Sequence, residues 1–162
     1  MTRLAVWGVV LGVGVMLALG SHSVQAAGSS TDPSSTANAK PKADPNYVTA
    51  EKYVKIERYQ DAIPLLQKVV DADPTNADAF NYLGYSHRKL GKFDAALAYY
   101  GKAIEIEPDY AAVRQYLGEA YVQLGKTDDA KAQLAKIKDI CGTGCDEYKT
   151  LEKLISANGK KG

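Results

Sequence analysis

Cys141 and Cys145 are the only cysteines of the chain and frame the run Cys141-Gly142-Thr143-Gly144-Cys145. Two thiols this close can exchange electrons or cross-link. Redox exchange is served by C-x-x-C spacing and by a neighbouring cation or histidine that stabilises the thiolate. The spacing here is C-x-x-x-C, with no histidine beside it. The expected role is therefore a structural disulfide, and a thiol-redox accessory protein using Cys141 and Cys145 is the alternative. Closing so small a loop constrains the unfolded chain by on the order of 2 kcal/mol. No C-x-x-C-H run offers a haem attachment point.

The other chemistry-bearing residues are sparse. His87 is the only histidine beyond His22, and acid–base work needs a positioned partner as well as the ring. Its place in the pattern described below is a packing position. Asp71, Asp73 and Asp78 are spaced loosely like calcium ligands, but the glycine and terminal glutamate of an EF-hand loop are missing. They read as an inter-repeat turn. The sequence holds no P-loop, no HExxH and no GxSxG. A non-enzyme with no cofactor and no metal is expected.

The composition agrees. Of 162 residues, 46% are hydrophobic and 24% charged, with a formal net charge of +1. A near-neutral chain has no basic field for nucleic acid. Two cysteines and two histidines are too few for a zinc cluster or a disulfide-dense scaffold.

The ends of the chain differ from its middle. Met1–Arg3 is a short positive start, Leu4–Gly20 is uncharged and apolar, and Val24 and Ala26 occupy the small-residue positions of a cleavage site. That order predicts a secretory signal peptide over 1–26, cut after Ala26. The seventeen apolar residues reach about 25 Å, against roughly 30 Å for a bilayer core. An uncleaved inner-membrane anchor is the alternative. Arg3 is the only charged side chain in this segment, so the remainder is formally neutral. Residues 27–43 are Ser, Thr, Ala, Pro, Lys, Asp, Asn and Gly. They are too poor in apolar side chains to offset the entropy of ordering, and are expected to form a disordered linker.

A 34-residue period organises the rest. Ala62, Ala96 and Ala130 recur at that interval, as do Pro74 and Pro108, Leu83-Gly84 and Leu117-Gly118, and Leu90-Gly91 and Leu124-Gly125. The units are 43–76, 77–110 and 111–144, each reading as two amphipathic helices. Gly91 and Gly125 suit helix-ending positions, Asp94 and Asp128 are expected as N-caps, and Pro64 falls near the first turn of its helix, where few or no hydrogen bonds would be lost. A terminal repeat needs a cover. Residues 146–157, with Tyr148, Leu151, Leu154 and Ile155 on one stripe, are expected to supply it as a helix over a domain spanning 44–157, leaving 158–162 frayed.

The middle unit runs from Ala77 through Phe80, Leu83-Gly84, Ala96, Tyr100 and Ala103 to Pro108. It resembles a tetratricopeptide repeat at almost every characteristic position, His87 replacing the usual tyrosine. The third unit departs in ending on Cys141-Gly142, and the first in having Thr49-Ala50 where Leu-Gly is usual. The resemblance implies an all-α solenoid of three helix-turn-helix units with a capping helix, preceded by the signal peptide and linker.

It also implies a use. In such arrays the first helices line a concave groove, and that register selects Tyr47, Val48 and Glu51, then Asn81, Tyr82, Tyr85, Arg88 and Lys89, then Gln115, Tyr116, Glu119 and Gln123. Tyr82 and Tyr116 are read equally well as wedges between repeats. Chaperone-binding members grip a partner's C-terminal carboxylate with Lys, Asn and Arg at positions held here by Tyr47, Glu51, Tyr82, Ala112 and Tyr116, so that clamp is absent. The expectation is an exported adaptor of the bacterial periplasm that binds a protein or peptide segment, with no nucleic acid and no membrane contact after cleavage. A self-assembling structural subunit is a further alternative, and the oligomeric state is left open.

Overall fold

The computed structural model describes residues 44–159. The expected signal peptide, all of the expected linker and the last three residues lie outside the described residues. Seven helices follow in order: α1 (Pro45–Lys55), α2 (Tyr59–Ala72), α3 (Ala77–Lys89), α4 (Phe93–Ile106), α5 (Ala111–Gln123), α6 (Thr127–Cys141) and α7 (Asp146–Asn158). Among the described residues there is no strand, and no helix is long and apolar enough to cross a membrane. α1 packs on α2, α3 on α4 and α5 on α6, each pair also touches the next, and α7 closes the series against α5 and α6. The chain is an all-α solenoid of three hairpins and a cap.

Local chemistry sets the helix ends. The Asp44 carboxylate accepts from the N–H groups of Asn46 and Tyr47, at 2.7 and 3.4 Å, with Pro45 opening α1. Asn76 does the same for α3 by accepting from Ala79 N–H at 2.9 Å. Asp94 and Asp128 are not N-caps. Gly91 and Gly125 adopt φ of +73° and +72°, and the chain turns there so tightly that Lys92 and Lys126 become the capping residues. The two aspartates lie in the first turns instead, where their charge favours the helix dipole. The equivalent residue of the first repeat is Glu57, which takes φ of +60° without the freedom of glycine.

Pro64 also sits deeper than its sequence position promised. α2 begins at Tyr59, so Pro64 lies in the second turn and the Gln60 carbonyl loses its helical partner. Both residues are exposed, and water can serve that carbonyl.

The hairpins close on small residues. Ala62, Ala96, Ala103 and Ala130 are fully buried. A Cβ on Gly84 would stand 2.6 Å from the Tyr100 ring, and one on Gly118 would stand 2.5 Å from Leu151. Leu66, Leu83, Tyr100, Val113, Ile137 and Leu151 fill the spaces between helices, each aliphatic side chain contributing about 1.5–3 kcal/mol by leaving water. Leu151 and Ile155 bury the stripe of α7 against Val122, Ala130 and Ile137, so the last repeat is covered as the sequence required.

Candidate partner-binding groove

The i, i+3, i+4 and i+7 spacing places Asp78, Asn81, Tyr82 and Tyr85 along one face of α3. The neighbouring faces of α1 and α5 bring Tyr47 and Tyr116 to either side. Tyr47 and Tyr82 have ring centroids 5.8 Å apart, and Tyr85 meets Tyr116 edge to face at 5.2 Å. Tyr82 and Tyr116 are half-buried, so each wedges between neighbours and still shows a ring face to the groove. A depression of about 240 Å³ opens here, lined by Val54, Lys55, Glu57, Tyr59, Tyr82, Tyr85 and Tyr116.

Two residues expected on the groove surface are interior. Arg88 is 7% exposed, and its guanidinium meets the Glu119 carboxylate at 2.9 Å. It also donates to Gln123 Oε1 and Tyr100 Oη, each at 3.4 Å, and stacks near the Tyr85 and Tyr116 rings. Glu119 accepts a further hydrogen bond from Gln115 at 2.9 Å. Arg88, Gln115, Glu119 and Gln123 thus form a polar strut under the aromatic floor, and Arg88 offers no free cation to a partner. Asn81 is likewise 7% exposed, and its Oδ1 has no hydrogen-bond partner. Both lie on α3, but the flanking helices α1 and α5 cover these positions.

The remaining expected residues reach the surface. Glu51 accepts from the Tyr82 hydroxyl at 3.4 Å and pairs with Lys55 at 3.1 Å. Lys89 is exposed at the rim, its Nζ 5.9 Å from the Tyr59 and Tyr85 ring centres. Five contributors were missed. Val54 and Lys55 lie in the last turn of α1 and line the depression. Glu57 and Tyr59 belong to the turn of the first hairpin, where α1 passes into α2, rather than to a first helix. Asp78, read as part of a turn, accepts a hydrogen bond from Tyr110 across the repeat junction.

Burial is the main cause that keeps these phenols protonated. The Tyr82 pKa is pushed up to about 12 by burial, then by Glu51 and Asp78. Tyr47, Tyr100 and Tyr110 are raised for the same first reason. Tyr47 and Tyr82 in the groove are therefore neutral rings, each with a hydroxyl able to donate.

His87 packs on the far side, its Nδ1 2.8 Å from the Leu83 carbonyl and its ring 5.1 Å from Tyr99. Asp73 turns the chain by accepting from the N–H and hydroxyl of Thr75, at 3.0 and 2.7 Å. Cys141 ends α6 and Cys145 precedes α7, with their sulfurs at disulfide distance and their Cα atoms 6.0 Å apart.

Two family profiles, both described as tetratricopeptide repeat, match residues 47–111 and 87–154. No curated protein matches in sequence. Among solved structures, the chain is similar to the first TPR of Spaghetti (RPAP3) bound to the HSP90 peptide SRMEEVD. Identity is 24%, 70% of this chain and 90% of that one are covered, and the TM-score is 0.63. It is similar to a MamA mutant at 29% identity over 59% and 69% of the two chains, with a TM-score of 0.56. The Yersinia enterocolitica type III secretion chaperone SycD, in complex with a peptide of the translocator YopD, matches at 19% identity. There the coverage is 72% and 91%, and the TM-score 0.64.

Proposed function

Since the chain belongs to the tetratricopeptide repeat family, we propose that it is a non-catalytic, exported interaction module holding a peptide or protein segment in its concave groove. The observation that carries this reading is the aromatic depression between α1, α3 and α5, where Tyr82, Tyr85 and Tyr116 expose ring area beside the buried Tyr59. Tyrosine offers rigid apolar surface with a polar tip at small entropic cost, the combination that recognition surfaces favour. Similar structures hold the HSP90 peptide and the YopD peptide, which supports a segment as the ligand class.

Export to the bacterial periplasm is part of the proposal. It rests on the order of residues in 1–26 and on two cysteines that pair as a structural disulfide, a bond that persists outside the reducing cytosol. The disulfide ties the end of α6 to the start of the cap.

In-cell crosslinking tests the groove. Tyr85→Ala/Tyr116→Ala should lower partner capture at least tenfold, while Tyr99→Ala on the opposite face leaves it unchanged. Equal capture by all three proteins would remove the groove as the binding site. Cell fractionation with N-terminal sequencing tests export, the expected product being a periplasmic chain that starts at Ala27. A chain retaining Met1 in the membrane fraction would overturn that part.

A further inference from the structure

Resting on that groove reading, we propose that the N-terminal end of the groove is a subsite for a lysine or arginine side chain of the bound segment, received over the Tyr47 and Tyr82 rings with Asp78 and Glu51 as its acceptors. Two independent features converge there. The first is aromatic: two tilted rings with centroids 5.8 Å apart present π faces, which attract a cation lying within about 6 Å.

The second is charge. Asp78 and Tyr82 are one turn apart on α3, and Glu51 accepts the Tyr82 hydroxyl at 3.4 Å from α1. Among the described residues no lysine or arginine pairs with Asp78. The neighbouring cations are engaged elsewhere: Arg88 with Glu119, and Lys89 over Tyr59 and Tyr85. Lys55 does meet Glu51, but its side chain is 65% exposed, and so open a pair is easily displaced.

An ammonium or guanidinium carries only donors, so it suits both carboxylates. An acidic segment would instead meet two like charges.

The probes are five-residue alanine peptides with a central lysine, arginine, norleucine or glutamate, titrated into the isotope-labelled full chain and followed by NMR. The lysine and arginine peptides should shift the Tyr47, Asn81 and Tyr82 resonances and bind at least about fivefold more tightly than the norleucine peptide. Asp78→Asn, which keeps an acceptor for Tyr110 but removes the charge, should erase most of that preference, as should raised salt. Equal binding of lysine and norleucine peptides at the groove, or preference for glutamate, would overturn the cation subsite and leave the groove reading standing. Shifts confined to the opposite face around Phe80 and Tyr99 would overturn both.

Discussion

The Arg88 guanidinium of α3 reaches the Glu119 carboxylate of α5 at 2.9 Å, beneath the tyrosines that line the groove. Their side chains are 5% and 17% exposed, so the pair joins the second and third repeats through the interior. Removing one member strands the other charge away from water. Arg88→Ala or Glu119→Ala should each cost about 3–5 kcal/mol in denaturant unfolding, whereas Arg88→Met/Glu119→Leu together should cost much less than the sum. Additive losses would show that the pair is not coupled.

Gly84 is held to its size by Tyr100. Gly84→Ala should destabilise the chain by about 1–3 kcal/mol, because the buried ring 2.6 Å from the new Cβ cannot retreat into close-packed surroundings. Gly101 is helical and has open space around it, so Gly101→Ala should instead gain up to about 1 kcal/mol. Thermal melts of the two variants should move in opposite directions.

Glu57 carries a strained backbone that the later repeats avoid with Gly91 and Gly125. Glu57→Gly should stabilise by up to about 1 kcal/mol once the greater freedom of the unfolded glycine chain is offset. Gly91→Ala should lose about 1 kcal/mol. A neutral Glu57→Gly would mean that the side chain compensates the strain.

Alkaline pH should unfold the array. Tyr82 ionises near the usual phenol pKa when unfolded but at about 12 when folded, and Tyr47, Tyr100 and Tyr110 shift in the same direction. The folded state therefore holds more protons above about pH 10. The contribution is fully present below that pH and is lost as pH rises towards 12. Phenolate absorbance and helix content, followed together, should change in one cooperative step. Phenolate formation with helices intact would contradict it.

Reduction tests the end of the array. With Cys141 and Cys145 joined, a reductant should lower stability by on the order of 2 kcal/mol. The native protein should resist thiol labelling until unfolded. Ready labelling of the native chain would favour the redox alternative.

The 34-residue recurrence of small residues and helix-ending glycines was enough to read three hairpins, their order and the need for a cap, because helix period, capping and close approach are local demands on residue type. Ala96, Gly84 and Gly91 each state such a demand on their own. The groove was legible as a list of α1, α3 and α5 positions, but not as a surface. Whether Asn81 and Arg88 face a partner or the interior depends on how far α1 and α5 lean across α3, and no spacing within α3 encodes that. Tyr59 and Glu57 joined the site from the turn of the neighbouring hairpin in the same way. Sequence alone determined the repeats; the angle and distance between them decided which polar groups were buried, which were paired, and which were left open to a ligand.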